Sequence, residues 1–331
     1  MTHAALIWHN GRMKPWQEAT VHVSAHALHY GSSVFEGERV YATPRGPAYF
    51  RLAEHTRRLF ESARIYEIDI GYSEAEINAA CIELIVANRM KSAYVRPIVF
   101  RGAGGLGVLP KSGSPVDVSI MALDWGAYLG DALEHGADVC VSSWTRPAPN
   151  TIPSWAKAGG NYLSSQLIAF EAQRGGYAEG IALGTNGLLS EGAGENLFLV
   201  RRGKLVTPTT SAGILAGITR DTVITLAQDL GYTVEERDLP REALYTSEEI
   251  FLTGTAAEIT PVRSVDRKAV GDGRPGPITR ALQDAFFGLF DGRTADTRGW
   301  LTLISSEGCG QTPPLIDSRD GKRSHKDTLS A

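Results

Sequence analysis

The residue of this chain with the clearest chemical potential is Lys157. It is the only charged residue between positions 150 and 162, which read N-T-I-P-S-W-A-K-A-G-G-N-Y. Apolar surroundings disfavour an ammonium ion, and a neutral amine is what a lysine needs to form a Schiff base with a carbonyl compound. The glycine pair that follows would let a ligand approach the backbone closely. An ordinary surface lysine is the alternative and the more common case, so the rest of the chain must decide.

A second candidate is Arg96, in the segment A-Y-V-R-P-I-V-F at 93–100. We predict a strand here, and its alternation places Tyr94 and Arg96 on one face. An arginine on the inward face of a strand is uncommon unless it is paired, so Arg96 is a candidate receptor for a carboxylate. The spacing is equally consistent with an arginine on a solvated face.

Two glutamates, Glu191 and Glu195, lie in the segment 188–200, which we predict to be a strand broken by glycines. A carboxylate among glycines and alanine has little local competition for its hydrogen bonds, so it can be aimed at a ligand. For either residue taken alone, a solvated glutamate in a turn is a reasonable alternative.

Two later segments have the composition of an anion site. Residues 211–223 read S-A-G-I-L-A-G-I-T-R-D-T-V, and residues 253–260 read T-G-T-A-A-E-I-T. Small residues, backbone N–H groups and a threonine hydroxyl are typical of oxyanion or phosphate sites at a helix N-terminus or a tight turn. Each pattern is weakly specific by itself.

Other patterns point away from metals and dinucleotides. His22, His26 and His29 have a spacing that could place them on one helical face as metal ligands. The V-H-V pattern is strand-like and no carboxylate or cysteine accompanies these histidines, so we predict no metal site. The glycine-rich segment 102–110 lacks the G-x-G-x-x-G motif of a dinucleotide site, and we interpret it as a mobile loop.

The elements that must position these residues follow from hydrophobic periodicity and turn signals. Asn10-Gly11 predicts a hairpin, and Ser73 with Glu76 predicts a capping box at a helix start. The predicted helices span 51–66, 73–89, 161–174, a segment from about 217, and 278–290. The predicted strands span 4–10, 38–50 (a hairpin), 93–100, 116–124, 137–144 and 178–184, with a further apolar strand at 249–252.

Length and composition indicate a two-domain globular protein. The chain has 331 residues, 43% of them apolar, and a net charge of −4. A chain of this length is longer than one hydrophobic core usually organises. We predict a domain at 1–124, a connector at 125–134, a larger domain at 135–303 and a disordered tail at 304–331. No basic tract suggests nucleic acid, and the three cysteines suggest neither disulfides nor zinc. With no signal peptide and no long apolar run, we predict a cytoplasmic protein and no membrane partner.

Seven segments, in order along residues 5–303, resemble the bacterial branched-chain amino-acid aminotransferases. They read H-A-L-H-Y-G-S-S-V-F-E-G-E-R, E-H-T-R-R-L, A-Y-V-R-P, W-A-K-A-G-G-N-Y, S-E-G-A-G-E-N-L-F, G-I-T-R-D and T-G-T-A-A-E-I-T-P-V. The resemblance implies a two-domain α/β (α+β) enzyme of fold type IV, with a small N-terminal α/β domain and a larger, β-barrel-like C-terminal domain with flanking helices. It implies pyridoxal 5′-phosphate as cofactor and a homo-oligomer, either a dimer or a hexamer built from dimers.

The same resemblance implies roles around the cofactor. Lys157 would form the Schiff base and shuttle a proton, and Glu191 would pair with the pyridine nitrogen. Tyr162 would hydrogen-bond the phenolic oxygen, and Arg58 would hold the phosphate. Backbone and hydroxyl groups that would assist Arg58 belong to Gly217, Ile218, Thr219, Gly254 and Thr255.

For the substrate, the resemblance implies a pocket that accepts a leucine, isoleucine or valine side chain and, in the other half-reaction, the second carboxylate of glutamate. Tyr94 and Arg96 would bind that second carboxylate, and Thr255 and Ala256 would bind the α-carboxylate. The implied walls are Tyr30, Phe35, Val108, Trp125 and Tyr128. Trp155 departs from the pattern, because a small residue is expected two positions before the lysine; it could narrow the pocket or pack beneath it.

The function implied is transfer of the amino group of leucine, isoleucine or valine to 2-oxoglutarate, as in branched-chain amino-acid biosynthesis. One alternative is a D-amino-acid or (R)-amine transaminase of the same fold. Another is a lyase such as aminodeoxychorismate lyase. A non-catalytic protein that keeps the fold would have lost the lysine or its acidic partner, whereas Lys157 and Glu191 are both present.

Overall fold

The computed structural model describes residues 2–124, 126 and 129–305. The predictions for Trp125, for Tyr128 and for the tail beyond residue 305 lie outside these residues. Within them the strands form two sheets of nine strands each. No helix in these ranges combines the length and apolar character needed to cross a bilayer.

The elements are numbered in chain order. The strands are β1 (Thr2–His3), β2 (Leu6–His9), β3 (Arg12–Pro15), β4 (Ser33–Phe35), β5 (Glu38–Thr43), β6 (Gly46–Phe50), β7 (Ala93–Arg101), β8 (Val116–Asp124), β9 (Ala137–Val141), β10 (Glu179–Leu183), β11 (Leu189–Gly192), β12 (Asn196–Arg201), β13 (Lys204–Thr207), β14 (Val234–Glu236), β15 (Glu249–Gly254), β16 (Glu258–Val265), β17 (Lys268–Ala269) and β18 (Leu301–Leu303). The helices are α1 (His26–Tyr30), α2 (Leu52–Ile65), α3 (Glu74–Ala87), α4 (Ala132–His135), α5 (Tyr162–Arg174), α6 (Ile218–Asp229) and α7 (Pro277–Asp291).

The first sheet is antiparallel and runs in the order β18-β6-β5-β7-β8-β2-β3, with β1 on β8 and β4 on β7. The hairpin predicted at Asn10-Gly11 is confirmed: His9 lies opposite Arg12, and both turn residues have positive φ, as a two-residue hairpin of this kind requires. The capping box at Ser73 and Glu76 is also confirmed at the start of α3. Helices α2 and α3 pack on this sheet and, with it, form the first hydrophobic core.

The last strand, β18, belongs to the first sheet and not to the larger domain in which the sequence analysis placed residues 301–303. Leu301 pairs with Phe50 and Leu303 with Ala48, along the edge of β6. Ile304 joins the first core. Strand β18 thus pairs with the backbone of β6 and becomes the edge of the first sheet.

The second sheet is mixed and runs in the order β11-β10-β9-β16-β15-β12-β13-β14, with β17 on β16. Strand β9 is parallel to both β10 and β16, whereas β15 is antiparallel to both of its neighbours, β12 and β16. The predicted broken strand at 188–200 is confirmed as β11 and β12, separated by three residues, 193–195. Helices α6 and α7 cover this sheet through a second apolar cluster around Phe198, Phe251 and Phe286.

The segment carrying Lys157 is attached to the first sheet, although it lies after the predicted domain connector. Its backbone oxygen accepts a hydrogen bond from the Phe35 N–H at 2.9 Å. Its backbone N–H donates to the Ser62 hydroxyl at 3.0 Å. Ala158 forms a bridge with Val34, and both residues belong to the first core. The lysine is therefore held at the junction of the two sheets.

Candidate active site

A polar cleft opens at the junction of the two sheets, with an empty volume of about 590 Å³. It collects residues from both halves of the chain. Its lining includes Arg58, Arg146, Lys157, Tyr162, Glu191, Glu195, Asn196, Gly217, Ile218, Thr219, Gly254 and Thr255. All nine residues that the sequence analysis assigned to the cofactor are among them.

Lys157 is half-buried and directed into the cleft. Its Nζ lies 2.7 Å from the Tyr162 hydroxyl, at the start of α5. The same nitrogen lies 5.0 Å from the centre of the Phe35 ring and 5.1 Å from that of Tyr162. The amine is therefore held beside a hydroxyl and between two aromatic faces.

Glu191 is buried opposite this lysine and is fixed by three donors. Arg146 Nη2 donates to its Oε1 at 2.5 Å. Its Oε2 accepts from Asn196 Nδ2 at 3.1 Å and from the Leu215 N–H at 3.0 Å. Burial raises the pKa of Glu191, although Arg146, the Leu215 N–H and the charge of Lys157 act in the opposite direction. The carboxyl is thus oriented but still able to take up or share a proton.

The sequence analysis did not identify Arg146 or Asn196. Arg146 follows β9 by five residues and meets Glu191 across 45 residues of sequence. Asn196 was quoted only as part of a motif. No local spacing could have revealed the arginine, because its partner is brought to it by the pairing of β9 with β10 and of β10 with β11.

Arg58 lines the cleft but is largely held by another acid, Glu36, which entered the sequence analysis only as a letter of the first motif. Arg58 donates to Glu36 through Nε at 2.6 Å and through Nη2 at 2.8 Å, while Nη1 donates to the Ala216 oxygen at 2.9 Å. His55 Nδ1 lies 2.7 Å from the same carboxylate. Burial alone would raise the pKa of Glu36, but the charge and hydrogen bonds of Arg58, with those of His55, hold the pKa well below its usual range.

The end of the cleft near Arg58 has the features of an anion site. Helix α6 begins after Gly217 without a side-chain cap, so the first N–H groups of the helix face outward. Such a helix N-terminus attracts phosphate. Thr219 lies in the first turn of this helix, and the β15–β16 turn contributes Gly254 and Thr255 to the lining of the same cleft. Both segments predicted to bind an anion therefore line one cleft.

A second cavity, with an empty volume of about 700 Å³, continues from Lys157 toward the first sheet. Arg96 stands in it, donating to the Tyr94 hydroxyl at 2.8 Å and lying 4.5 Å from the centre of the Phe35 ring. Tyr94 occupies the space beside Gly37, where an added Cβ would be 2.2 Å from its hydroxyl. The Arg96 Nε is buried and has no hydrogen-bond partner among the described residues. The Arg96 side chain as a whole is half-buried and lines the cavity, so its positive charge faces the cavity within an otherwise aromatic wall.

The opposite wall of this cavity is the β15–β16 turn with Thr255 and Ala256. Arg39 from the first sheet braces the turn by donating to the Ala256 oxygen at 3.2 Å, and it lies 3.4 Å from Glu258. The sequence analysis did not single out Arg39, whose partners lie more than 200 residues away. Thr255 and Ala256 thus line the cavity beside Lys157, and their role in carboxylate binding stays a prediction.

Two predicted wall residues, Tyr30 and Val108, do not line either cavity of this chain. The Tyr30 hydroxyl accepts a hydrogen bond from the Gly107 N–H at 3.0 Å, and His26 Nε2 lies 2.8 Å from the Gly107 oxygen. Val108 is 85% exposed and Leu109 is 86% exposed. These contacts tie the glycine-rich segment to α1 and leave its tip in solvent, so the wall role of both residues stays a prediction.

Trp155 neither narrows the cleft nor packs beneath it. Its side chain is 60% exposed, and its indole N–H reaches the Thr210 oxygen at 3.5 Å. The neighbouring Ser154 and Ala156 line the cleft instead. The departure noted in the sequence therefore changes the outer surface of the lysine segment and leaves the interior of the site unaltered.

Comparison with known proteins places this arrangement in a family. The family model described as Amino-transferase class IV matches residues 33–265. A branched-chain-amino-acid aminotransferase of Escherichia coli (strain K12) is 56% identical over 303 residues, which are 91% of this chain and 98% of the relative. A crystal structure of the Escherichia coli branched-chain amino acid aminotransferase has a TM-score of 0.91 at 56% identity and covers 91% of this chain and 100% of the other. The branched-chain amino acid aminotransferase from Thermobaculum terrenum, in its PLP-form, has a TM-score of 0.85 at 37% identity, with coverages of 92% and 100%. This chain therefore belongs to the class IV aminotransferases and stands among their branched-chain amino-acid aminotransferases.

Proposed function

We propose that this enzyme transfers the amino group between L-leucine, L-isoleucine or L-valine and 2-oxoglutarate, in alternating half-reactions that use pyridoxal 5′-phosphate. The observation that carries the proposal is the pair of adjoining cavities at Lys157. One is polar and ends at an anion site, and the other combines aromatic walls with the guanidinium of Arg96. The first cavity suits a cofactor with a phosphate group, and the second suits an apolar and an acidic substrate that bind in turn.

The residues present fit the cofactor. A phosphate suits the uncapped N-terminus of α6 with Thr219 and Arg58, and a ring nitrogen that carries a proton suits the buried carboxyl of Glu191. Lys157 Nζ is the amine that the carbonyl group requires, and Tyr162 is the hydroxyl beside it. When bound, pyridoxal 5′-phosphate supplies a conjugated ring that takes up the electron pair left at the substrate Cα.

Lys157 and Tyr162 carry out the proton transfer of each half-reaction. The lysine amine would remove the proton from the substrate Cα and deliver it to C4′ of the cofactor, because it is the general base that stands in the cleft beside Tyr162. Tyr162, 2.7 Å from Nζ, fixes the direction of the amine. Glu191 and Arg146 hold their geometry meanwhile, since Glu191 has three donors in fixed positions.

The second cavity solves a specificity problem. An apolar side chain and a carboxylate must both be accepted in it, and an unscreened arginine beside an isobutyl group is unfavourable. Here Arg96 is stacked on Phe35 and hydrogen-bonded to Tyr94, so its charge is partly satisfied when the substrate is apolar. Arg96 still presents its positive charge to the cavity for the second carboxylate of glutamate. The α-carboxylate common to both substrates lies at the turn of Thr255 and Ala256.

We also propose that the enzyme acts as a homo-oligomer in the cytoplasm. Tyr30 and Val108 would then line the pocket of a neighbouring subunit, which reconciles their predicted role with their position outside the cavities of their own chain. The exposure of Leu106, Val108 and Leu109 supports a contact at this segment, because contiguous exposed apolar residues mark interaction sites. A Val108→Asp variant that kept its oligomeric state in analytical ultracentrifugation and its Michaelis constant for leucine would contradict this arrangement.

The substrate assignment is tested with a panel of amino donors and 2-oxoglutarate. We expect L-leucine, L-isoleucine and L-valine to be the fastest donors and D-alanine and (R)-amines to be slow. D-alanine as the faster donor would overturn the proposal in favour of a D-amino-acid transaminase. Release of pyruvate from aminodeoxychorismate would indicate the lyase. Absence of the visible absorption of bound pyridoxal phosphate, even after the cofactor is added, would exclude all of these enzymes.

A further inference from the structure

Arg51 does not line the cleft, yet it joins three parts of the chain beside it. It directly precedes α2 and is 9% exposed. Its φ of 55° lies in the left-handed region, which residues with a side chain seldom occupy. Its backbone N–H donates to the Trp300 oxygen at 2.7 Å, and its guanidinium lies 5.1 Å from the centre of the Trp300 ring. Backbone and side chain are thus both fixed where α2 meets the returning end of the chain.

The Arg51 side chain reaches the start of α6, the helix whose N-terminus has the features of an anion site. Its Nη1 donates to the Ile218 oxygen at 3.2 Å and to the Thr222 hydroxyl at 3.0 Å. The same nitrogen donates to Asp221 Oδ2 at 2.7 Å. Thr222 in turn donates to the Ile218 oxygen at 2.9 Å. One guanidinium nitrogen therefore contacts three of the first five residues of α6.

Arg58 reaches the same segment from further along α2. Seven residues separate it from Arg51, which is about two helical turns. Arg58 Nη1 donates to the Ala216 oxygen, two residues before α6, at 2.9 Å. On the other side, a Cβ added to Gly217 would collide with the Asn196 amide oxygen, so the start of the helix packs closely against that residue. The N-terminus of α6 is thus held between α2 and Asn196.

The charge of Arg51 is already offset by carboxylates. Its Nε donates to Glu54 Oε1 at 2.9 Å, and its Nη1 is paired with Asp221. A guanidinium with two carboxylate partners adds little attraction for an anion in the cleft, because the opposite charges largely cancel at a distance. What Arg51 supplies to the cleft is therefore the position of a helix.

We propose that Arg51 is a positioning residue for the cofactor phosphate: it holds the first turn of α6 against α2, so that the free N–H groups of the helix and the Arg58 guanidinium face one phosphate group. The inference deepens the proposed function and rests on its phosphate site. Without the Arg51 side chain these donors remain, but the start of the helix can shift away from α2. The phosphate then meets them at poorer distances, whereas the aldehyde end of the cofactor, at Lys157, is unaffected.

A comparison of pyridoxal 5′-phosphate with pyridoxal isolates the phosphate, because both compounds carry the same ring and the same aldehyde. Their two dissociation constants are measured by equilibrium dialysis on the full chain freed of cofactor, with no amino donor present. Arg51→Met should lower the preference for the phosphorylated compound about ten-fold, which is about 1.4 kcal/mol of binding free energy. Methionine is unbranched at Cβ, as arginine is, so it adds no new strain at this φ.

Arg51→Lys is a second variant that keeps the charge. Its single terminal nitrogen cannot hold Glu54 and the start of α6 through separate atoms, as the guanidinium does. The preference should therefore fall by about three-fold, between the wild type and Arg51→Met.

Arg298 offers a matched control at the opposite end of α6. It lies 5.4 Å from the centre of the same Trp300 ring, and it donates to Asp229, the last residue of the helix, at 2.8 Å. That contact is about 16 Å along the helix axis from Ile218. Arg298→Met removes an anchor of α6 far from the phosphate, so its preference should stay within about two-fold of the wild-type value.

The possible results separate position from charge and from general stability. The inference is overturned if Arg51→Met keeps the wild-type preference, or if Arg298→Met loses as much. It is also overturned if the loss disappears in about 1 M salt, because an effect that screening removes comes from charge. A wild type that binds both compounds equally would refute the phosphate site itself. Since no amino donor enters the measurement, an unexpected result from the donor panel leaves this inference standing.

Discussion

The two sheets bury their acids in parallel ways with opposite electrostatic results. Each region has a buried carboxylate beside an arginine and near the cleft: Glu36 with Arg58 in the first, Glu191 with Arg146 in the second. Yet the pKa of Glu36 is held well below the usual range, whereas burial raises that of Glu191. One arginine is present in both cases, so the presence of a cation does not explain the difference.

The difference follows from the number of charged contacts. Arg58 meets Glu36 with two nitrogens, and His55 adds a third donor on the same carboxylate. Glu191 receives one contact from Arg146, and its other donors are neutral groups of Asn196 and Leu215. Glu36 is consequently a fixed charge that orients an arginine. Glu191 is left able to respond to a proton on a ligand, as the partner of a pyridine nitrogen must.

The largest effect is expected where the two regions meet, at Lys157. Its backbone is bound to the first region and its side chain to Tyr162 of the second. Lys157→Ala should lower turnover by about 10⁴-fold or more, because both covalent and acid–base catalysis are lost. Binding of the cofactor, measured by equilibrium dialysis, should persist through the anion site. Retained turnover would refute the role of this lysine.

Removal of each arginine in turn tests whether Glu36 and Glu191 differ in their need for a cation. Arg58→Met should lower the free energy of unfolding by about 3–5 kcal/mol, because it leaves an ionised carboxylate buried and unpaired. Arg146→Met should lower it by only about 1–2 kcal/mol, since Glu191 can take up a proton instead. Urea denaturation of both proteins without cofactor at pH 7 measures the difference. Equal losses would show that the two pairs are electrostatically alike.

The two regions also divide the recognition of the substrate, with Arg96 in the first and Thr255 in the second. Arg96→Met should raise KM for 2-oxoglutarate about 30-fold, because a charged hydrogen bond of about 2 kcal/mol is lost. The KM for L-leucine should change little, since its α-carboxylate is bound by the second region. Steady-state kinetics with both substrates gives the answer. A similar rise for both would mean that Arg96 supports the pocket as a whole.

The smallest effect is expected at Glu38, an acid of the first region that has no cation beside it among the described residues. It is fully buried, neither of its carboxyl oxygens has a hydrogen-bond partner in the described part of the chain, and the weak donor Cys81 lies beside it. Burial raises the pKa of Glu38 well above its usual value, and the charge of Glu36 raises it further. The unfolded chain therefore gives up this proton first, and stability falls as the pH rises above about 4.5 toward the folded-state pKa.

Glu38→Met removes this pH dependence. We expect the variant to be more stable than the wild type by about 1–2 kcal/mol at pH 8, with a smaller difference at pH 5. Thermal unfolding at the two pH values measures the change. A constant difference, or a wild type favoured at pH 8, would mean that Glu38 is ionised and partnered in the folded protein.

The sequence by itself determined the elements and the family. Periodicity, the Asn10-Gly11 turn and the capping box at Ser73 are local signals, and the structure confirms them. The predicted fold class is confirmed by the close likeness to solved aminotransferases. The nine proposed cofactor residues also line one cleft, because seven ordered motifs together are specific even though each alone is weak.

Tertiary structure decided the electrostatics. Arg58 was expected to serve a phosphate, yet two of its nitrogens are held by Glu36, and Arg146 was not anticipated because its partner is 45 residues distant. Tyr30 and Val108 were predicted to line the substrate pocket, but neither lines the two cavities of its own chain. The state of a buried charge depends on every donor within a few ångström, and those donors come from segments that are distant from the acid in the sequence. Local patterns predict which helices and strands form, but only their packing fixes which acids end beside an arginine.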